Sequence, residues 1–331
     1  MISFIIIGRN EGWKLTNCLK SIRNVITQNN LTNYELLYVD SQSKDDSIER
    51  VKTFKEVVVY KITGICNAAV ARNIGGKESK GEILFFIDGD IELMPEFLKK
   101  VIDERGKLKY DCVSGNVDNI YYDLNETILG RAPASYIGPA LPLKSKILKA
   151  NGGIFLIKRE CWEMVNGLRT KFRINEDIDF TLRLSEKGIK SIRIPDLMAL
   201  HHTIDYRNTK RMWKMVLNGD ILYPAVLLRN HFFNINKIKH SIRKQYTSLV
   251  LFLLIPAVFL GNSIVIIISL YLLLVVLKTF RIVQKIINPG KHKLIYFFER
   301  IIYQIIVDIL FWFSFFFFYP TEKELQYIKV D

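Results

Sequence analysis

The chain has 331 residues, which exceeds the usual size of a single domain and predicts at least two parts. Its formal net charge of +14 at pH 7 indicates an anionic partner, and nucleic acid, anionic lipid and a phosphorylated substrate are the candidates. The four cysteines are scattered without a Cys-x-x-Cys pair, which argues against a zinc or disulfide framework and indicates reduced thiols.

Strands and helices alternate through the first part of the chain. Short β-branched apolar runs predict strands, and apolar residues at helical spacing between them predict helices. This alternation is typical of βαβ units and predicts an α/β fold with a mostly parallel central sheet. The predicted strands are residues 2–7, 34–39, 57–61 and 83–87, and the predicted helices are residues 11–26, a helix from about residue 47, and residues 67–79.

Two common nucleotide-binding motifs do not occur in this pattern. The turn at Gly8 does not match G-x-G-x-x-G, and the chain contains no G-x-x-x-x-G-K-[ST], which excludes a dinucleotide dehydrogenase and a P-loop protein. The first residues also lack the basic region and the length of a signal peptide, so we expect the N-terminal part to remain in the cytoplasm.

Two acidic residues flank a glycine where the fourth predicted strand ends. Residues 83–87 are uninterrupted apolar residues, as in a strand buried on both faces, and Asp88, Gly89 and Asp90 follow them. Ligands of open α/β sheets bind at such strand ends, and two carboxylates there suit a hard divalent cation that also contacts a diphosphate. Because Asp and Gly also favour turns, this Asp-x-Asp motif is either a metal-assisted nucleotide site or a turn.

A series of short motifs continues along the chain. In order, they are Arg9-Asn10-Glu11, Val39-Asp40-Ser41 with Ser43, Asp45-Asp46-Ser47, Ala71-Arg72-Asn73-x-Gly75, Ile87-Asp88-Gly89-Asp90, Asn151-Gly152-Gly153, Val165-Asn166-Gly167-Leu168, Asn175-Glu176-Asp177-x-Asp179-Phe180, and Pro195 with His201. Their order and spacing resemble the inverting family 2 glycosyltransferases of the GT-A fold. The resemblance covers residues 2–202 and implies a nucleoside-diphosphate sugar donor.

The resemblance implies three nucleotide-sugar contacts before the Asp-x-Asp motif. The carboxylate equivalent to Asp40 accepts a hydrogen bond from the nucleotide base in the family, and Arg72 reaches the same nucleotide region. Arg9 lies where related enzymes line the nucleotide pocket. A helix N-cap or turn residue is the plain alternative for Asp40.

The resemblance also implies a Mg²⁺ or Mn²⁺ site. Asp88 and Asp90 would hold the ion against the diphosphate, with Asp90 the more direct ligand, while Asp88 and Gly89 also contact the nucleotide sugar. Neutralising charge on the departing diphosphate lowers the barrier without a proton donor. His201 lies where the family often places a histidine that completes the metal site. His202 would point to the opposite side of a strand, so only one of the two can serve, and we assign His201.

Glu176 and Asp177 are the second acidic centre, at the start of a predicted helix. Transfer with inversion needs a carboxylate that takes the proton of the acceptor hydroxyl, and the resemblance favours Asp177, with Glu176 as the alternative. Stabilisation of a first helical turn by acidic residues is the other interpretation. Gly152 and Gly153 would let the acceptor substrate lie against the backbone, unless they are turn or close-packing glycines.

The last third of the chain contains long apolar stretches. Residues 246–277 are almost wholly apolar but are interrupted at Pro256 and at residues 261–263, so they form one tilted helix or a hairpin of two short helices. Residues 301–319 are a third apolar stretch, which spans once or lies as a shallow hairpin. Within it Asp308 is costly in lipid and is expected to face protein. Buried core helices are the alternative for both stretches.

The basic residues lie beside these apolar stretches. Lys and Arg concentrate in residues 207–244 and 278–300, a pattern that favours an anionic lipid membrane over nucleic acid. Residues 209–228 are expected to form an interfacial helix. The loop 278–300 should face the cytoplasm, where the catalytic domain meets nucleotide sugars.

These observations predict four segments. They are a GT-A catalytic domain at residues 1–205, a basic amphipathic segment at 206–245, a membrane region at 246–319 and a polar tail at 320–331. The membrane region consists of a hairpin at 246–277, a cytoplasmic loop at 278–300 and an apolar segment at 301–319. The expected function is transfer of a sugar, with inversion, to a hydroxyl of a membrane-associated, lipid-linked glycan. A polyprenyl-phosphate glycosyltransferase and an inactive membrane adaptor that retains the fold are the alternatives. No nucleic acid partner is expected.

Overall fold

The computed structural model describes residues 1–123, 126–134, 142–148, 152–204, 209–257, 263–284 and 293–330. The chain divides into two units, of which the first comprises Met1–Ile204 with Thr321–Asp331 and the second comprises Asp205–Pro320. The predicted boundary at residues 205/206, the motif residue Asn151, the predicted interruption at Gly261 and Asn262, and residues 285–292 of the predicted cytoplasmic loop lie outside the described residues.

The first unit contains one mixed sheet. In the described part of the chain its spatial order is β11-β3-β2-β1-β4-β9-β6-β10-β5, while β7 pairs with β6 and β8 pairs with β10. The strands are β1 Ile2–Gly8, β2 Tyr34–Asp40, β3 Val57–Ile62, β4 Ile83–Asp88, β5 Ile91–Leu93, β6 Cys112–Tyr122, β7 Ile128–Pro133, β8 Lys146–Ile147, β9 Phe155–Lys158, β10 Ser191–Ile204 and β11 Tyr327–Val330.

The central strands are parallel, as the sequence predicts. β1 pairs in parallel with both β2 and β4, and β2 pairs in parallel with β3. Gly8 is in register with Asp40, and Ile7 is in register with Asp88. The polar ends of three neighbouring strands therefore lie at one edge of the sheet, where ligands of open α/β sheets bind.

Six helices of the first unit cover the two faces of this sheet or connect its strands. They are α1 Trp13–Gln28, α2 Ser47–Lys52, α3 Ala68–Glu78, α4 Glu96–Val101, α5 Arg159–Met164 and α6 Glu176–Glu186. Phe4 and Ile6 of β1 pack in the same core as Leu15 of α1, whereas Ile5 and Ile7 face the side of the sheet that α3 covers. Burial on both faces explains why β1 is apolar at every position from Phe4 to Ile7.

Two of the strands beyond the four predicted ones are short and pair antiparallel with their neighbours. β9 is antiparallel to both β4 and β6 and joins the parallel strands to β6 and β10. β11, within the stretch expected as a polar tail, pairs antiparallel with β3, with Tyr327 opposite Ile62. Both are four-residue strands whose partners lie far away in the chain, so the local sequence pattern gives little signal for them.

The second unit is helical in its described residues. Its elements are α7 Thr209–Leu217, a 3₁₀ helix at Asp220–Leu222, α8 Tyr223–Asn230, α9 Ile235–Ala257, α10 Ser263–Val283 and α11 Lys293–Phe317. The predicted interfacial helix at 209–228 is divided, because Gly219 adopts a left-handed conformation with φ of 72° between α7 and the 3₁₀ helix. The apolar stretch 246–277 forms parts of two helices, α9 and α10.

Among the described residues of the second unit, two segments are long and apolar enough to cross a membrane, Val265–Val283 and Lys293–Phe317. Within α11 the carboxylate of Asp308 is fully buried and accepts hydrogen bonds from Thr247 Oγ1 at 3.0 Å and Ser248 Oγ at 2.7 Å. Gln304 Nε2 at 2.7 Å and the Tyr271 hydroxyl at 3.2 Å also donate to this carboxylate. The expectation that Asp308 faces protein is therefore confirmed.

Candidate active site

A cavity of about 500 Å³ lies at the sheet edge where β1 and β4 end. Its lining combines residues that follow β1, β2 and β4 with the first half of α3, the start of α6 and one residue of β10. The lining residues are Ile7, Gly8, Arg9, Glu11, Ser41, Cys66, Asn67, Ala68, Arg72, Asp88, Asp90, Gly153, Glu176, Asp177 and His201. Most of the sequence-predicted site residues thus meet in one place.

The buried guanidinium of Arg72 joins the two acidic centres. Its Nη2 donates to Asp88 Oδ1 at 2.6 Å and to the Gly153 carbonyl at 3.3 Å, and its Nη1 donates to Glu176 Oε1 at 3.2 Å. The side chain is 3% exposed, so these ion pairs are screened little by solvent. Arg72 consequently fixes the positions of Asp88 and Glu176 relative to each other.

Gly153 leaves the space that this ion pair occupies. A Cβ on Gly153 would lie 2.0 Å from Asp88 Oδ2 and 2.9 Å from Arg72 Nη2, so no side chain fits without displacing the pair. Gly152 adopts φ of +75° and its backbone N–H donates to the Asp177 carboxylate. Gly152 is therefore a turn glycine and Gly153 a close-packing glycine, and their contact with an acceptor stays a prediction.

Glu176 and Asp177 begin α6, as the sequence predicts. Burial, together with the charge of Asp177, raises the pKa of Glu176 to about 7, although Arg72 opposes the shift. Burial also raises the pKa of Asp177, against hydrogen bonds from backbone N–H groups. A carboxylate whose pKa lies closer to neutrality is a better proton acceptor, so this pair suits general base catalysis.

Asp179 supports this helix start. Its carboxylate is fully buried and pairs with Arg169 Nη1 at 3.2 Å and with Arg183 Nε at 2.8 Å. Both cations neutralise a charge that could not otherwise remain buried. Asp179 thus holds the first turn of α6 in place.

Asp90 and His201 are in contact on the opposite side of the cavity. His201 Nε2 lies 3.1 Å from Asp90 Oδ2, and His201 Nδ1 lies 2.9 Å from Asn119 Oδ1. Burial opposes the charged imidazole, but the hydrogen bond and charge of Asp90 raise the pKa of His201 above its ordinary value. Burial and the charge of Asp90 raise the pKa of Glu11 to about 7. These shifts indicate excess negative charge at this end of the cavity.

His202 points away from this group. Its Nδ1 lies 2.8 Å from the Tyr122 hydroxyl and its Nε2 lies 3.1 Å from Glu92 Oε2. Neighbouring residues of a strand face opposite sides of the sheet, so His201 lines the cavity and His202 does not.

The residues at this end of the cavity fit a divalent cation. Mg²⁺ is usually held in proteins by one or two carboxylates together with substrate phosphates, and an imidazole also suits Mn²⁺. Asp90 presents an oxygen and His201 presents a nitrogen beside it. Glu11, whose pKa is raised to about 7, interacts with Asp90. Asp88 gives one oxygen to Arg72 instead. Across the described residues, no group of three His, Cys, Asp or Glu side chains is arranged for a metal ion, so further ligands would come from substrate or solvent.

Arg9 and Asp40, two of the predicted nucleotide-sugar residues, have different surroundings. Arg9 is exposed and lines the cavity, with its Nη1 4.0 Å from Cys66 Sγ. Asp40 is fully buried and is not part of the lining, and its carboxylate accepts hydrogen bonds from the Ser43 backbone N–H at 2.9 Å and the Tyr38 hydroxyl at 3.2 Å. Asp40 therefore makes the turn contacts that were its alternative interpretation. Its contact with a nucleotide base stays a prediction.

Gly89 lies between the two carboxylates of the Asp-x-Asp motif. Its backbone N–H donates to the Ile7 carbonyl at 2.7 Å, and a Cβ would lie 3.0 Å from Glu11 Cγ. The turn is thus held against the end of β1, which brings Asp90 to the cavity. Gly89 itself is absent from the lining among the described residues.

Glu11 and Asn119 are candidate site residues that the sequence analysis did not assign. Glu11 belongs to the motif Arg9-Asn10-Glu11 and follows β1, the neighbour of β4, so its position after a strand end was an available signal. Asn119 has no comparable signal, because it lies within the long strand β6 and contacts His201 only through the pairing of β6 with β10.

Comparison with known proteins gives a consistent result. Residues 3–175 match the sequence profile of the family described as Glycosyl transferase family 2. The chain is 30% identical over 195 residues to an uncharacterized glycosyltransferase of Haemophilus influenzae, in a match that covers 56% of this chain and 63% of that protein. It is 29% identical over 210 residues to glycosyltransferase AglE of Haloferax volcanii, covering 60% of this chain and 66% of that protein.

The chain is also similar to a third protein, from Staphylococcus aureus, and to two proteins of solved structure. Poly(ribitol-phosphate) β-N-acetylglucosaminyltransferase TarP of S. aureus is 36% identical over 118 residues, covering 34% of this chain and 36% of that protein. The chain therefore spans less than two thirds of each of these three relatives. The structure of S. aureus TarS 1–349 has a TM-score of 0.48 at 16% identity, covering 73% of this chain and 74% of that one. GalNAc-T7 with UDP, GalNAc and Mn²⁺ has a TM-score of 0.47 at 18% identity, covering 61% and 44%.

Proposed function

Because the chain belongs to glycosyl transferase family 2, we propose that it transfers a sugar from a nucleoside-diphosphate sugar to a hydroxyl of a membrane-associated, lipid-linked glycan. We propose inversion at the anomeric carbon and a role in cell-surface polysaccharide or glycoconjugate synthesis. One observation carries the proposal: two acidic centres, Asp88 with Asp90 and Glu176 with Asp177, line a single cavity of about 500 Å³.

The donor half of the proposed site is the end that Asp90, His201 and Arg72 line. Asp90 and His201 would hold a Mg²⁺ or Mn²⁺ ion, which when bound neutralises negative charge on the departing nucleoside diphosphate. Arg72 and the exposed Arg9 add guanidinium groups, which match phosphate oxygens in geometry and charge. The charge of Arg72 is already paired with Asp88 and Glu176, so the exposed Arg9 is the side chain whose positive charge supports an anionic donor.

The acceptor half is the start of α6. We assign the base to Asp177, because Glu176 is already paired with Arg72, whereas no ion pair of Asp177 occurs among the described residues. The acceptor oxygen attacks the anomeric carbon on the face opposite the diphosphate, and Asp177 takes the hydroxyl proton as the new bond forms. Attack from that face inverts the anomeric configuration. A hydroxyl acceptor needs such a base, whereas an acceptor phosphate oxygen is already ionised.

The two apolar helical segments support a membrane location. Only 17% of the most apolar window of Val265–Val283 and 28% of that of Lys293–Phe317 are buried inside the molecule. Core helices of a soluble protein would be mostly buried, so lipid is the better account of these exposed apolar faces. We propose that the first unit lies on the cytoplasmic side, where nucleotide sugars are available.

A donor panel tests this function. Purified protein in detergent with Mn²⁺ should bind or slowly hydrolyse at least one nucleotide sugar, and should transfer its sugar to a lipid-linked saccharide. Transfer to a polyprenyl phosphate alone would show the alternative acceptor. Absence of binding and turnover across the whole panel would contradict the proposal and favour an inactive adaptor.

A further inference from the structure

The last residues of the chain belong to the first unit. The C-terminal segment, residues 321–330, runs along the edge of the sheet and ends in β11. Glu322 Oε2 accepts hydrogen bonds from Thr170 Oγ1 at 2.9 Å and from the Lys171 backbone N–H at 3.0 Å. The Lys323 backbone N–H donates to Thr170 Oγ1 at 2.6 Å. This segment therefore holds the turn that precedes α6.

The turn at Thr170 is connected to the cavity. Thr170 is 5% exposed, and its carbonyl accepts a hydrogen bond from Asn67 Nδ2 at 2.8 Å. Asn67 lines the cavity and caps α3, since its Oδ1 accepts the Val70 backbone N–H at 2.9 Å. Because α3 carries Arg72, a displacement of Thr170 would be felt at the donor half of the site.

A second set of contacts reaches the same loop from β11. The Gln326 carbonyl accepts the backbone N–H groups of Thr63 at 2.9 Å and Gly64 at 3.3 Å. The Gly64 carbonyl accepts Gln42 Nε2 at 2.8 Å, and Gln42 Oε1 lies 3.8 Å from Sγ of Cys66, which lines the cavity. Residues 63–67, which connect β3 to α3, are thus bonded to the C-terminal segment directly at Thr63 and Gly64 and, through Thr170, at Asn67.

The far end of α3 is held as well. The Tyr327 hydroxyl donates to Glu78 Oε1 at 2.6 Å, and the Tyr60 hydroxyl donates to Glu78 Oε2 at 3.1 Å. The rings of Tyr60 and Tyr327 pack with their centroids 5.8 Å apart. The C-terminal segment therefore contacts the end of α3 directly and reaches its N-cap Asn67 through Thr170.

We propose that the C-terminal segment is a positioning element of the donor half of the site, with Glu322 as its principal positioning residue. Glu322 contacts neither the cavity nor a substrate, and it acts through Thr170 and Asn67. This inference rests on the proposed function, because it assigns the donor to the cavity that Asn67 lines. A truncation that removes the apolar helices and everything after them would therefore also delete β11 and the hydrogen bonds of Glu322 to Thr170 and Lys171 in the first unit.

A pair of glutamate variants of the full chain tests this role. Glu322→Ala should raise the KM for the donor about fivefold with kcat nearly unchanged, because two hydrogen bonds to a loop that orders the donor pocket are lost. Glu324→Ala is the matched control, since Glu324 is exposed and accepts a hydrogen bond from Gln326 within the segment itself. Glu322→Gln keeps an acceptor oxygen at the same position and should restore the donor KM to nearly the wild-type value.

A double-mutant cycle separates positioning from loss of folding. Thr170→Val removes the hydroxyl that Glu322 binds and should raise the donor KM, and combining it with Glu322→Ala should add little because both break the same contact. If Glu322→Ala does not fold, Thr170→Val with Thr170→Ser as its control decides, since serine keeps the hydroxyl. A merely structural role would lower kcat in proportion to the folded fraction and leave KM unchanged, and that result would overturn the proposal.

Failure of the positioning role of the C-terminal segment and failure of the proposed function give different results. A wild type that uses a donor, with Glu322→Ala equal to Glu324→Ala, would refute the positioning role and leave the proposed function intact. A wild type that neither binds nor uses any nucleotide sugar would refute both.

Discussion

At the scale of single residues, Arg72 determines how the two acidic centres are related. Its guanidinium contacts Asp88 and Glu176, and Gly153 leaves room for the first of these ion pairs. A buried ion pair is costly to break from one side, because the remaining charge stays buried without a partner. Small changes around Arg72 should therefore have large effects on the site.

Gly153→Ala should disrupt this pair. A Cβ would lie 2.0 Å from Asp88 Oδ2, so we expect a loss of transfer rate of at least about tenfold and a destabilisation of about 1–3 kcal/mol. Turnover and thermal unfolding of the purified variant measure the two effects. Gly106→Ala is the control, since its Cβ would meet nothing within 4 Å although φ is +73°. It should cost stability alone, and equal turnover in the two variants would contradict the assignment.

Asp90→Ala should remove the proposed cation site. Without this carboxylate His201 has lost its neighbour at 3.1 Å, and we expect Mn²⁺-dependent donor hydrolysis to fall by at least about a hundredfold. Direct Mn²⁺ binding, followed by paramagnetic resonance in the presence of nucleoside diphosphate, gives a readout that does not depend on activity. Glu104→Ala, at an exposed loop position, is the control for a lost negative charge. Unchanged Mn²⁺ affinity in Asp90→Ala would place the ion elsewhere.

Asp177 should make the transfer rate fall as pH drops. Its pKa is raised by burial, as is the pKa of Glu176, which reaches about 7 from an ordinary value of 4.5. The base acts when deprotonated, so the rate is full above the raised pKa and falls by about tenfold per unit as pH drops below it. The transfer rate at saturating donor, measured between pH 5 and about 9, tests this sign.

Asp177→Asn is the companion variant for that profile. It should bind the donor as wild type does and lose transfer by about 10²–10⁴-fold. A wild-type rate that does not fall on acidification, or transfer by Asp177→Asn at the wild-type rate, would move the base elsewhere or indicate a phosphate acceptor.

At the scale of elements, the sequence pattern predicted those strands and helices that are determined by the burial and charge of their own residues. The strands β1 to β4 and the helices between them follow from runs such as residues 83–87, because burial on both faces requires apolar side chains at every position. The start of α6 at Glu176 was likewise predictable from its acidic first turn. The meeting of Asp88, Arg72 and His201 in one cavity was expected from the family resemblance, not from any single pattern.

Elements whose partners are distant were not predictable in the same way. Phe155–Lys158 becomes an antiparallel strand only because β4 and β6 lie on either side of it. Glu322 binds Thr170 across more than a hundred residues of sequence, and Asn119 reaches His201 through the pairing of two long strands. Such contacts depend on the tertiary fold, which short-range periodicity does not encode.

The helices of the second unit give a prediction at this scale. Asp308 accepts hydrogen bonds from α9, α10 and α11, so it ties the three helices together. Asp308→Ala should leave four buried donors without their acceptor and lower the free energy of unfolding by about 2 kcal/mol or more. Asp308→Asn keeps one acceptor oxygen and should cost less. Thermal unfolding in detergent compares the two, and equal unfolding temperatures for wild type and Asp308→Ala would contradict the tie.

At the scale of the whole molecule, the chain leaves the first unit and returns to it. Residues 321–331 belong to the same unit as the proposed active site, so under the proposed membrane location both ends of the second unit lie on the same side of the membrane. The number of crossings between them is then even. A single crossing by α11 requires a partner crossing, and α10 is the neighbouring apolar helix.

The positions of the basic residues favour one of the arrangements with an even number of membrane crossings. Basic residues concentrate in residues 278–300, and basic loops remain on the cytoplasmic side. If the loop and the chain end are both cytoplasmic, α11 lies along the membrane surface with both ends on that side, and any full crossings belong to the α9–α10 hairpin. A reporter inserted after residue 288 and a second one after residue 331 should therefore both read cytoplasmic. An external signal at 288 with a cytoplasmic chain end would mean that α10 and α11 cross as a pair, and an external chain end would contradict the return of the C-terminal segment to the catalytic unit.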